Sequence, residues 1–373
     1  MAMRVAIIGC GLIGHKRARA LPADVKLAAV ADTIHPRAQQ LAASYSGCEV
    51  EPDWQSCVAR PDVDAIIVST VNDALAPVTL AAVQRGKHVL VEKPAARRAD
   101  ELRPVVDAAR AAGVIVKVGF NHRFHPAFVK ARELCDTGEL GPLLYIRGRY
   151  GHGGRLGYDR EWRADPAIAG GGELLDQGVH LIDLSRWFLG DFVDVWGQTA
   201  IYFWDMAVED NGFLALRTAR GQTAWLHASC TEWKNLFSFE IFGRDGKVQI
   251  DGLGGSYGVE RLSFYRMLPR MGPPETTIWE YPGEDDSWGA EFTYFQECIA
   301  AGRQPLGNLE DAIASLEVVE QVYHQSANGR RQPAGLARTS RLTPAVRRLM
   351  INLFDDFEGR NRVFEITQRL PAR

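Results

Sequence analysis

RVAIIGCGLIG, residues 4–14, is a short β-branched apolar run that ends in Gly9-Cys10-Gly11-Leu12-Ile13-Gly14, a G-x-G-x-x-G, and passes into a stretch of helical periodicity. Each glycine answers a separate need. Gly9 permits a tight turn, Gly11 lets a pyrophosphate approach the main chain, and Gly14 lets helix and strand pack closely. The helix that follows offers unpaired N–H groups and a positive dipole end to phosphate. Outward from this stretch the same rhythm repeats. VKLAAVAD, AIIVST, HVLVEK and VIVKVGF read as strands apolar on both faces; LIGHKRARALP, PRAQQLAASYS, APVTLAAVQRG and ADELRPVVDAARAAG read as the helices between them. The alternation predicts an α/β doubly wound parallel sheet, a Rossmann domain over residues 1–121.

The second strand ends at Asp32, near the spacing of about 20 residues at which an acidic side chain accepts hydrogen bonds from an adenosine ribose. A carboxylate there repels a 2′-phosphate, so the expected cofactor is NAD; Arg37 is the one nearby side chain that would favour NADP. Leu12, Ile13, Thr33, Ser69, Thr70, Asn72 and Glu92 complete the expected cofactor site with the three glycines. Lys93 closes the fourth strand in Glu92-Lys93-Pro94. The carboxyl ends of parallel strands face the ligand crevice, which aims Lys93 at the nicotinamide end, and Pro94 biases it toward extended backbone.

After residue 121 the pattern changes. HPAFVKARELCDTGEL and GGELLDQGVHLIDLSRWFLG suggest helices. Most of residues 143–281 reads as antiparallel strands, with FLALRTARGQTAWLHASC and FSFEIFGRDGKVQIDG as hairpins turning at RG and DG. WGAEFTYFQECIAAG and LEDAIASLEVVEQVYHQSANG are helices that cap a second, α+β domain over residues 122–335. Residues 336–373 form a C-terminal extension in which TPAVRRLMINLFDDF is helical in pattern. The tryptophans Trp196, Trp204, Trp225 and Trp233 fall in expected strands or at their ends, as sheet packing or subunit interface.

Composition excludes several classes. With 43 basic and 46 acidic residues among 373 and a net charge of -3, no field recruits nucleic acid or an anionic membrane surface. Partners are expected to be small molecules or protein. The six cysteines form no C-x-x-C pair and read as reduced thiols in a cytoplasmic protein; the apolar start is too short for a membrane span and lacks the form of a signal peptide.

GCGLIG, the strand ending at Asp32, GKHVLVEKPAA, GFNHRFHPA and WRADPAIAGGGELLDQGVHLIDLSRWFLG together resemble the Gfo/Idh/MocA family, the glucose–fructose oxidoreductase and inositol dehydrogenase group, over roughly residues 4–330. The resemblance implies an open-faced, mainly antiparallel C-terminal sheet through which homodimers or homotetramers form. It also implies a catalytic set of Lys93, Asp176 and His180. Asp176 and His180, four residues apart, would share a helix face, with Gly170–Gly172 bringing the preceding backbone close to the ligand. His180 or Lys93 takes the hydroxyl proton, Lys93 favours the developing negative charge, and Asp176 orients substrate or imidazole. The family's T-P-N-x-x-H stretch is replaced here by Thr70-Val71-Asn72-Asp73-Ala74-Leu75, which lacks both the proline and the histidine.

The loop RYGHGGRLGYDREWRADP supplies Tyr158 or Trp162 to stack on a sugar face and Arg155, Arg160 or Arg163 to meet an anionic group. His152, Asn121 and Arg123 are the remaining expected substrate contacts. Glu173, His152 and Asp183 are metal-ligand candidates by type only, and no metal is expected. The expected function is NAD-dependent oxidation of a secondary hydroxyl of a sugar, sugar derivative or cyclitol, the derivative acidic or nucleotide-linked. The competing readings are a glycosidase or lyase that oxidises its sugar transiently, and a nicotinamide-binding regulatory module without catalysis.

Overall fold

The computed structural model describes residues 2–328; the expected extension over 336–373, with its TPAVRRLMINLFDDF helix, lies outside them. A parallel sheet forms first, from β1 (Met3–Ile8), β2 (Val25–Ala31), β3 (Glu49–Val50), β4 (Ala65–Val68), β5 (His88–Val91) and β6 (Val116–Val118), in the order β3-β2-β1-β4-β5-β6. The helices α1 (Leu12–Arg19), α2 (His35–Ala42), α3 (Trp54–Ala59), α4 (Asn72–Gln84) and α5 (Ala99–Ala112) connect them. Strand β1 shows why both of its faces are apolar. Val5 and Ile7 enter one core layer while Ala6 and Ile8 enter the other, as the period of two dictates. Burial of each of the Val and Ile side chains stabilises by about 1.5–3 kcal/mol.

The first two strands part at the glycine loop. Gly9 has φ +95, and a Cβ there would lie 2.4 Å from the carbonyl oxygen of Ser69; a Cβ on Gly14 would lie 2.2 Å from the oxygen of Gly9. These two positions therefore admit no side chain, whereas Gly11 has open space beside it.

The second half adds α6 (Pro126–Asp136), β7 (Leu143–Gly151), the short α7 (Pro166–Ala169), α8 (Val179–Leu189), and strands β8 (Phe192–Ala200), β9 (Asn211–Thr218), β10 (Thr223–Ser229), β11 (Leu236–Gly243), β12 (Gly246–Asp251), β13 (Glu260–Arg266) and β14 (Glu275–Tyr281). Their order, β14-β13-β12-β11-β7-β10-β9-β8, is an eight-stranded sheet. It is not wholly antiparallel. β7, the first of its strands in sequence, lies inside the sheet, and β10 pairs with it in parallel.

Other local expectations need correction. Nothing was expected at β3 or α3, whose short runs carry no clear period. α4 starts at Asn72, four residues before the expected APVTLAAVQRG helix, so the 70–75 stretch forms the strand-to-helix junction. The RG turn uses Gly221 at φ +84, but Gly246 has no positive φ and opens β12, leaving Arg244-Asp245 as the turn. Trp196 and Trp225 stand on strands, whereas Trp204 and Trp233 lie in loops. The expected helix over GGELLDQGVHLIDLSRWFLG begins as a π-helical turn, Leu174–Gly178, and continues as α8.

Two further helices, α9 (Ser287–Ala301) and α10 (Leu309–Asn328), close the described chain. α9 does more than cap the second half. Its Phe292, Phe295 and Cys298 sit in the same core layer as Val5, Ile7 and Ile67, so a helix nearly 300 residues downstream covers one face of the parallel sheet.

Candidate active site

A cleft of about 1290 Å3 runs along the carboxyl ends of the parallel strands, from Cys10, Asp32 and Arg37 to Tyr150, His152 and Tyr257. At its nucleotide end Asp32 is held by main chain: Cys10 N–H donates to Oδ2 and Ile34 N–H to Oδ1, each at 2.7 Å. Carboxylate oxygens carry further lone pairs, so both can still accept from a ribose. Gly9, Gly11, Leu12 and Ile13 line the cleft, as do Thr33, Ser69 and Thr70. Ser69 Oγ donates to Gly9 O at 2.7 Å and braces the loop. Gly14 stays behind the wall, in the packing role its position suggests.

Two residues of the expected cofactor set touch the cleft but have their polar groups engaged elsewhere. Asn72 Nδ2 donates to Ala169 O at 2.9 Å. The Glu92 carboxylate accepts from Arg17 Nε at 2.6 Å in a buried network that continues through Arg17 Nη1 to Glu291 and from Glu291 to Lys117. Pro52 and Trp54 at the start of α3, and Trp288 on α9, line the same end. No motif announced them.

Lys93, Asp176 and His180 all line the chemical end. Lys93 Nζ donates to Asp176 Oδ1 at 2.5 Å and to its carbonyl oxygen at 2.7 Å. Arg163 Nε reaches the other carboxylate oxygen at 3.1 Å. Burial would push the Asp176 carboxyl up, but Lys93 and then Arg163 outweigh it and hold the group well below the usual carboxylate range. Asp176 is thus clamped by two cations and bonds neither ring nitrogen of His180. The shared face expected of an α-helix is realised across a junction, with Asp176 in the π-helical turn and His180 in the first turn of α8.

His180 is 3% exposed, and its Nδ1 is enclosed without a hydrogen-bond partner. Burial first, then the charge of Lys93, depresses its pKa well below the ordinary imidazole value. A neutral imidazole results at pH 7, able to accept a proton.

The substrate contacts divide. Tyr158, Trp162 and Arg163 line the cleft, with Arg163 over the Trp162 ring at 4.5 Å. Arg123 is a correction: it is buried, pairs with Asp183 at 2.6 Å and Asp311 at 3.1 Å, and lines no part of the cleft. A buried guanidinium needs compensating carboxylates, and they lie on α8 and α10. Asn121 reaches the wall, but its Nδ2 donates to Ser287 Oγ. Between these two, His122 turns to the cleft and stacks on His180, with ring centroids 3.7 Å apart. The residue type was visible in GFNHRF; its direction was not.

His152 lines the cleft, yet Nδ1 accepts from Gly154 N–H at 2.9 Å, which leaves Nε2–H facing buried Glu173 at 3.5 Å. Burial, then Asp176, pushes the Glu173 carboxyl well above its usual range. Asp183 belongs to the Arg123 pair, so the three metal-ligand candidates do not meet, and among the described residues no group of three or more His, Cys, Asp or Glu could hold an ion. The glycine run also differs from expectation. A Cβ on Gly172 would fall 2.0 Å from Glu209 O, and one on Gly171 2.0 Å from Tyr323 Oη; these glycines bring the main chain against protein.

Fold and cleft define a class: a Rossmann nucleotide-binding half joined to an open mixed sheet, with a lysine, an aspartate and a neutral histidine converging where the halves meet. The chain belongs to the Gfo/Idh/MocA family, residues 3–120 matching its oxidoreductase family, NAD-binding Rossmann fold, and residues 128–249 its C-terminal domain. It is 26% identical over 341 residues to scyllo-inositol 2-dehydrogenase (NAD(+)) of Bacillus subtilis, covering 88% of this chain and 95% of that one. Inositol 2-dehydrogenase 2 of Saccharopolyspora erythraea is 27% identical over 357 residues, covering 90% and 97%. Levoglucosan dehydrogenase in complex with NADH and levoglucosan, 23% identical, shares the fold with a TM-score of 0.78 over 87% of this chain and 97% of that one.

Proposed function

We propose that the protein is an NAD-dependent dehydrogenase acting on a secondary hydroxyl of a neutral sugar or cyclitol. The observation that carries this reading is the meeting of Lys93, Asp176 and His180 at one end of a cleft whose other end is a glycine loop and a strand-end carboxylate. The glycine loop supports a dinucleotide: Gly11 leaves open space where a pyrophosphate would approach, and the Asp32 carboxylate would accept from a ribose diol. Gly9, Gly11, Ile13 and Asp32 would hold the cofactor, which supplies the hydride acceptor when bound.

The chain's own part is binding and proton transfer. An ammonium has three N–H donors. Lys93 gives two to Asp176 and keeps the third for the substrate oxygen, where it favours the negative charge that develops as the proton leaves. His180, neutral and without a partner, takes that proton. Asp176 keeps the ammonium in place. Of the two readings of the base, the geometry favours His180.

Neutrality of the substrate follows from the charges. Arg163 is committed to Asp176, and Arg155 to Glu161 at 2.7 Å. Both guanidinium charges are already balanced by a carboxylate, which favours a neutral ring over an acidic one. The relatives named for inositol and levoglucosan support a polyhydroxylated ring. The same reading assigns self-association to the open sheet face, where Trp196 and Trp225, 55% and 57% exposed, flank Ala215 in register.

The test is a panel of neutral cyclitols and sugars beside their acids, with NAD and with NADP, followed by nicotinamide absorbance. Reduction of NAD by a neutral ring is the expected result. Turnover confined to acids, or to NADP, would refute the corresponding half of the proposal.

A further inference from the structure

A catalytic imidazole is ordinarily oriented by a third group hydrogen-bonded to its far nitrogen. His180 has no such group: Nδ1 is buried and unpartnered, and the nearest carboxylate, Asp176, is spent on Lys93 and Arg163. What touches the ring instead is a second ring. His122, 5% exposed, lies against it with centroids 3.7 Å apart and planes 24° from parallel, while Phe120 and Tyr150 stand at 6.3 and 6.1 Å.

His122 is itself fixed, and its tautomer can be deduced. Ser287 Oγ donates its one hydrogen to the Asp285 carboxylate at 2.5 Å, so it accepts from Asn121 Nδ2 at 2.9 Å. Asn121 must then present Oδ1 to His122 Nδ1 at 3.2 Å, and two lone pairs cannot face each other there. Nδ1 carries the hydrogen, and Nε2, buried without a partner, does not. The chain of bonds runs Asp285, Ser287, Asn121, His122. It begins beside the N-terminus of α9 and ends on the face of His180.

We propose that His122 is the positioning residue of this site: its ring, locked in the Nδ1–H tautomer from the α9 side, holds the plane of His180 by stacking in place of an orienting carboxylate. The proposal rests on the reading of His180 as the proton acceptor. The charged and titratable groups around His180 are Lys93 at the end of β5, Asp176 in the π-helical turn, His122 and His125 after β6, and Tyr150 on β7. Burial lowers both stacked imidazoles; the charge of Lys93 lowers His180 further, and a charge on His180 would lower His122 further. A proton accepted by His180 gains no hydrogen-bond partner at Nδ1; burial and Lys93 outweigh the favourable charge of Asp176, so it is readily passed on.

The test has an arm that needs no substrate. Nitrogen-15 spectra of the histidine side chains of the wild-type protein at pH 7 should show His122 as the Nδ1–H tautomer and His180 neutral. An Nε2–H tautomer or an imidazolium at His122 would overturn the proposal, even if no variant folds. In His122→Ala, water reaches the ring, so the titration of His180 and the acid limb of kcat/KM should both move up toward the ordinary value of about 6.5. kcat should fall about 10- to 100-fold, as expected of a misplaced acceptor, with KM nearly unchanged. His122→Phe, which keeps a flat face, should restore most of kcat. An unmoved acid limb in the alanine variant, or a phenylalanine variant as slow as the alanine one, would defeat the stacking role. A wild type that reduces NAD with no sugar or cyclitol would refute the dehydrogenase reading and leave the tautomer result standing.

Discussion

At the nucleotide end of the cleft the groups that face a ligand belong largely to the main chain, set by glycines and strand ends within one strand–helix–strand unit. At the chemical end they are side chains from positions 93, 122, 163, 176 and 180, brought together from four separate stretches of chain. The difference teaches where each end is fragile. A main-chain site fails when a Cβ intrudes, and a side-chain site fails when one charge or one ring is lost.

The largest effect should come from removing the charge that links both halves of the chemical end. Lys93→Met is expected to lower kcat by about a thousandfold, the upper range for loss of a donor to a developing oxyanion, while nucleotide affinity measured by fluorescence stays within a few-fold. Equal losses in binding and turnover would erase the distinction between the two ends.

Arg123→Ala should destabilise the fold by about 3–5 kcal/mol, since it strands the buried Asp183 carboxylate, as denaturant melts would show. If the variant instead kept its stability and lost only substrate affinity, Arg123 would be a substrate contact after all.

A smaller change probes the main-chain end. Gly11→Ala meets open space in the protein, so its melting temperature without nucleotide should match the wild type, yet NAD affinity should drop about tenfold, near 1.4 kcal/mol. The neighbouring Gly9→Ala, with φ +95 and a 2.4 Å approach to Ser69, should lose stability as well. Identical behaviour of the two variants would show that the loop's glycines are not separable in role.

The smallest effect concerns the floor of the chemical end. Glu209 accepts hydrogen bonds from Gly172 N–H, Leu174 N–H and Tyr323 Oη, and burial pushes its carboxyl up to about 7. The folded state then binds a proton that the unfolded chain releases near its ordinary value. Stability from this group is complete below that value and is lost as pH rises through about 7. Glu209→Gln should remove the loss, so the melting curves of variant and wild type should diverge by a few degrees between pH 5 and 8. Parallel curves would mean that the carboxyl stays ionised throughout.

Much of this was legible in the sequence, and the exceptions share a cause. The parallel strands, the glycine loop, Asp32 and the trio of Lys93, Asp176 and His180 could be placed because each rests on a local pattern or on resemblance. Asn121 and Arg123 are expected substrate contacts and His122 is not, although all three are adjacent. Which of three consecutive side chains turns to the cleft depends on the short 3-10 turn they occupy and on the carboxylates waiting elsewhere. His152 shows the same limit: its residue type suits a ligand, but Gly154 and Glu173 face its two nitrogens.

By itself, then, the order of residues determined the alternating core, the phosphate-binding turn and the inventory of proton-handling groups, because periodicity and local backbone sterics act over a few residues. Only the tertiary structure decided which of those groups remain unspent. Burial makes every polar atom seek a partner, and the partners of Arg123, Asp176 and His122 lie as far away as Asp311, Lys93 and, through Asn121 and Ser287, Asp285.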